Sequence, residues 1–115
     1  MSEKINYHNR KFKPIINSEN GETTKETVFH YVQEGNILTA TYSGGGIKKG
    51  HLIGLVDDSG VIEMRYHQVN IKGMLMTGIC RSIPEILENR KIRLHETWQW
   101  TSGDESRGNS IIEEI

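Results

Sequence analysis

Ile37-Leu38-Thr39-Ala40-Thr41-Tyr42, Ser43-Gly44-Gly45-Gly46, Ile47-Lys48-Lys49-Gly50-His51-Leu52-Ile53-Gly54-Leu55-Val56 is the stretch whose reading decides the fold. Apolar and polar residues alternate on both sides of a glycine cluster, the pattern of two antiparallel strands joined by a tight turn. A phosphate-binding loop is the competing reading of those glycines. It requires a helix directly after them, whereas residues 47–56 continue the two-residue period.

The same rhythm extends in both directions. Upstream, a first strand is expected over Lys11–Ile16, with Pro14 confining it to an edge or an early strand position. A turn at Asn17–Gly21 and a loop through Glu26 lead to a second strand at Thr27–Gln33, closed by Glu34-Gly35-Asn36. Downstream, Asp57–Gly60 turns into Val61–Val69, and Asn70–Gly73 turns into Met74–Ser82. Pro84–Leu87 reads either as extended chain or as one helical turn. Ile92–Trp100 and Ser106–Ile115 complete the series. No segment carries a 3.6-residue apolar period. The expectation is an all-β, single antiparallel up-and-down meander of about eight strands, closed into a barrel because closure removes exposed edges. An open twisted sheet or two packed sheets is the alternative.

With 115 residues, the chain is expected to be one β-barrel domain over 1–115, with residues 1–10 a flexible polar leader. Hydrophobic residues make up 35%, as in sheets with one wet face, and the formal charge is −1 with both signs interspersed. That balance argues against nucleic acid and anionic membranes as partners; Arg10, Lys11 and Lys13 alone make no phosphate-tracking stripe. Cys80 is the one cysteine, so no internal disulfide can form, and it is read as a small buried apolar residue. No apolar run approaches the roughly 20 residues of a membrane helix. A cytoplasmic protein is expected.

The richest stretch is Arg93-Leu94-His95-Glu96-Thr97-Trp98-Gln99-Trp100. Alternation puts Leu94, Glu96, Trp98 and Trp100 on one face and Arg93, His95, Thr97 and Gln99 on the other. If the aromatic face points inward, Glu96 is a buried acid in need of a partner. Arg65 or Arg81 is the expected partner, in a structural ion pair or as the polar anchor of an aromatic pocket. Met64 and Tyr66 share one face of their strand, and with Trp98 and Trp100 they are the expected cavity wall. His95 and His51 are the candidates for a general base if the protein is an enzyme. The five histidines include no pair at metal-ligand spacing, so neither a metal nor a cofactor is expected.

The blocks Tyr42-Ser-Gly-Gly-Gly-Ile-Lys-Lys-Gly-His-Leu-Ile-Gly54, Arg93-Leu-His-Glu-Thr-Trp-Gln-Trp-Thr-Ser-Gly-Asp104 and Ser110-Ile-Ile-Glu-Glu114 resemble a family of short bacterial proteins labelled N-acetylglutamate synthase. The resemblance covers the chain from about Asn6 onward and implies transfer of an acetyl group from acetyl-CoA to glutamate. Acetyltransferases of that superfamily carry a Gln/Arg-x-x-Gly-x-Gly/Ala loop beneath the pyrophosphate; this sequence contains none, and no catalytic residue carries over. In layout the chain resembles calycin-type, lipocalin-like barrels, which implies a small-molecule cavity. Three readings follow: a small-molecule-binding barrel, an enzyme, or a filled barrel that serves as an interaction module. A homo-oligomer is compatible with all three.

Overall fold

The structure, a computed structural model, describes residues 5–115. Eight strands run up and down: β1 (Arg10–Asn17), β2 (Val28–Glu34), β3 (Ile37–Gly44), β4 (Ile47–Val56), β5 (Ile62–Asn70), β6 (Leu75–Ile86), β7 (Ile92–Trp100) and β8 (Arg107–Glu114). Each pairs antiparallel with the next, and β8 returns to pair antiparallel with β1, so the barrel is closed in sequence order. The glycine cluster is the β3–β4 turn. Gly44 (φ 113°) and Gly45 (φ 60°) take the left-handed conformations that side chains disfavour, and a methyl on Gly44 would overlap the Glu26 carbonyl.

Both prolines stand where a strand has a neighbour on one side only. β1 pairs with β2 from Arg10 to Phe12 and no further, and Pro14 lies beyond, beside a register shift in the β1–β8 pairing. β5 accompanies β6 as far as Ser82; Pro84 follows, paired only with Leu94 of β7. A residue without an N–H costs no ladder bond at such a position. For that reason β6 runs past Ser82 to Ile86 as a strand, and the helical option at Pro84–Leu87 is not taken.

Alternation sorts the side chains. Phe12, Tyr31, Leu38, Ile62, Leu94 and Ile112 are buried inside, while Val28, Val32, Ile53 and Leu55 stand on the outer face. The β1–β8 closure is reinforced where Arg10 donates through Nη1 to both carboxylate oxygens of Glu114, each at 3.0 Å. Glu114 Oε1 also accepts from the Ile92 amide.

Of the expected flexible leader, residues 1–4 lie outside the described residues, and Ile5 and Tyr7 pack against the barrel. Tyr7 has no exposed surface, donates its hydroxyl to the Gly60 carbonyl and packs on Phe12 and Tyr31 at ring distances of 6.4 and 6.1 Å. Its amide donates to Gln33 Oε1, and Ile5 lies against Gly60. The leader therefore plugs the barrel end formed by the β2–β3 and β4–β5 turns. Tyr7→Ala is expected to lower stability by about 3–5 kcal/mol and Tyr7→Phe by about 1–2 kcal/mol, through the orphaned Gly60 carbonyl. Urea unfolding measures both; an unchanged midpoint for Tyr7→Ala would mean that the leader does not dock.

Candidate functional site

At the opposite end, the loop between β1 and β2 folds over the barrel and leaves a cavity of about 60 Å³ beneath it. Phe29, Tyr42, Tyr66, Trp98 and Trp100 supply the aromatic wall, with Leu52 and Met64 between them. Tyr66 and Trp98 meet Trp100 at centroid distances of 5.6 Å, steeply tilted at 70° and 61°. Such edge-to-face contacts stabilise aromatic groups beyond simple burial.

These rings fit because a glycine stands directly across from each of three of them. Tyr42 is in register with Gly50, Tyr66 with Gly78, and Trp98 with Gly108. A methyl on any of these glycines would overlap the facing ring. Each ring thus lies against bare backbone, and the space a Cβ would take is available to it.

Glu96 sits among these rings with a hydroxyl on either side. Its strand neighbours in register are Ser82 of β6 and Ser110 of β8. Ser82 donates to Oε2 at 2.6 Å and Ser110 to Oε1 at 3.1 Å. No cation reaches this carboxyl among the described residues. Burial accordingly raises its pKa above the ordinary glutamate value, against the lowering effect of hydrogen bonds from Ser82, Ser110 and Cys80. Burial, and next the nearby Glu96 charge, also push the Cys80 thiol well up, which keeps it protonated and a poor nucleophile.

At the rim, Glu22 is held by amides whose orientation other bonds dictate. Tyr42 donates its hydroxyl to Gln68 Oε1 at 2.8 Å, leaving Gln68 Nε2 to donate to Glu22 Oε1 at 2.8 Å. Asn70 accepts the Lys72 and Met74 amides on Oδ1, so its Nδ2 donates to Glu22 Oε2 at 2.7 Å. Asn17 uses Nδ2 on the Thr23 carbonyl and hydroxyl, and its Oδ1 is buried without a partner. The Trp100 indole N–H donates to the Asn20 carbonyl and ties the loop to β7.

The expected site residues divide by strand parity. Met64, Tyr66, Glu96, Trp98 and Trp100 converge on the cavity. Arg65 and Arg81 do not. Both are exposed on the outer face, where Arg81 pairs with Glu63 at 3.2 Å and Arg65 donates to the Met64 carbonyl. The expected arginine anchor is therefore replaced by two serines, because alternation that points Met64 and Cys80 inward points the following arginines outward. With Arg107 these arginines rim a shallow outer depression of about 290 Å³, open to water. His95 is also outside, 2.8 Å from Glu85 Oε1, and His51 stacks on His67 with centroids 5.3 Å apart. Neither histidine lines the cavity. Reading the chain alone missed Ser82, Ser110, Glu22, Asn17 and Gln68. Parity places Ser82 on the Cys80 face, but the Ser–Glu–Ser row exists only once the strand register is known.

A carboxyl that ionises less readily in the fold than in the unfolded chain lowers stability as pH rises above the ordinary glutamate range. Glu96→Gln is therefore expected to unfold at higher urea than the parent near about pH 8, with the gap closing toward about pH 4. A gap independent of pH would show that Glu96 ionises normally.

Comparison with protein families matches the one described as Avidin-like protein over residues 5–115. Comparisons with curated proteins and with solved structures gave no match. A closed, eight-stranded antiparallel calycin-type barrel is the architecture of that family, and this chain belongs to the avidin-like proteins.

Proposed function

We propose that the protein binds a small molecule inside the barrel, beneath the loop between β1 and β2. The observation that carries this reading is the unfilled space: a barrel of this size can be filled completely by its own side chains, and here a cavity of about 60 Å³ is left among aromatic and polar groups. Avidin-like barrels bind small ligands, which supports the same reading. The volume is far below the roughly 300–1,000 Å³ of drug-sized pockets. The occupant is a compact molecule or the head group of a longer one, not a fatty acid laid within the barrel. Acetyl transfer draws no support from the cavity, which presents neither a histidine base nor a basic group for the phosphates of coenzyme A.

Native mass spectrometry of the protein as purified from cells, compared with its denatured mass, tests the reading. A stoichiometric excess mass is expected. Trp98→Ala should weaken retention about tenfold or more, an effect of roughly 1.4 kcal/mol, while Arg81→Ala, on the outer face, should leave it unchanged. A bare mass that no added metabolite mixture shifts would defeat the proposal. The same spectrum reads self-association with a second copy, on which the exposed apolar row Ile37, Leu55 and Ile53 bears.

A further inference from the structure

We infer that the cavity is built for a small organic cation, a protonated amine or a guanidinium group. This rests on the reading of the cavity as a ligand site and specifies the charge of its occupant. Two carboxyl groups, Glu22 and Glu96, line the cavity, whereas no Lys, Arg or His among the described residues does. Glu22 is bound by two amide N–H groups and Glu96 by two hydroxyls, so neither is neutralised by a positive charge among the described residues. A carboxylate accepts up to about four hydrogen bonds, which leaves acceptor capacity on both.

The third free group is also an acceptor. The Nδ2 of Asn17 is committed to Thr23, and its buried Oδ1 has no partner. Gln68 and Asn70 each direct an amide N–H at Glu22 rather than at an occupant. The Trp100 N–H is spent on the Asn20 carbonyl. What remains for an occupant is the lone pairs of Glu22, Glu96 and Asn17 and the π surface, beside the Thr23 and Tyr66 hydroxyls and the Trp98 indole N–H, none of which carries a charge.

The aromatic wall suits the same charge. Tyr66 and Trp98 each stand steeply to Trp100 and offer an occupant more than one ring face. Ring faces carry negative electrostatic potential and attract cations, most strongly when water is excluded. An anion would meet two uncompensated carboxyls and those same ring faces. The small volume restricts the fit to a head group, with any tail leading out under the loop.

Tryptophan emission reads binding directly, because both tryptophans of the chain line the cavity. The probes are n-butylammonium and methylguanidinium, set against n-pentanol as a neutral match and valerate as an anionic one, at constant ionic strength. The expected result is saturable quenching or shift by the two cations, at least tenfold tighter than by pentanol and with no saturation by valerate. Glu96→Gln and Glu22→Gln, each checked for native circular dichroism, should weaken cation binding at least tenfold and leave pentanol unaffected. Valerate or pentanol binding as tightly as the cations overturns the charge assignment while leaving a ligand cavity in place. Cation affinity unchanged in both variants overturns it as well. No saturable response to any of the four probes, joined to a bare native mass, overturns both this inference and the reading beneath it.

Discussion

Closing eight antiparallel strands into one barrel fixes the interior volume before any side chain is chosen. Everything else in this molecule answers to that limit. Large aromatic rings can enter only if something opposite them is given up, and what is given up is a Cβ: Gly50, Gly78 and Gly108 face Tyr42, Tyr66 and Trp98 across the sheet. Glycine weakens a strand interior, so these positions trade local strand stability for rings that lie against the wall. Space then remains at one end of the axis, and the polar groups around it keep unused bonding capacity.

Glu96 shows how that arrangement tolerates a half-buried acid. Desolvation of an ionised carboxylate is costly unless donors reach it. The ladder supplies them from both neighbouring strands, through the row Ser82, Glu96, Ser110. The hydroxyls satisfy part of the carboxyl without neutralising it. A structural ion pair would have filled the same position with a closed, inert contact.

The strands were legible because both signals that mark them are local: a two-residue apolar period and turn residues at each reversal. Six of the turns fall where glycine, asparagine or aspartate clusters stand in the sequence. The aromatic face of β7 and the inward side of Met64 and Tyr66 were legible for the same reason. The arginine anchors were not compatible with that pattern, since parity that places Met64 inside places Arg65 outside; charge need alone suggested them. Tyr7 was illegible on other grounds. One tyrosine in a polar leader has no period, and its burial is decided by the distant Gly60 carbonyl and by Phe12 and Tyr31. The loop residues Glu22 and Asn17 belong to the same class: their roles depend on bonds to Gln68, Asn70 and Thr23 that no spacing announces.

The two ends of the barrel are sealed by different forces. Tyr7 plugs one end with fully buried ring surface in addition to its bonds to Gly60 and Gln33. The loop over the other end is fastened by bonds from Gln68, Asn70 and Trp100, which water can replace at little net cost. Burial of apolar surface weakens on cooling and is eroded by urea, whereas polar fastenings give way to competing hydrogen-bonding solutes. The molecule consequently has a direction along its axis. Solvent exchange belongs to the loop end, and the tyrosine end holds as long as the barrel does.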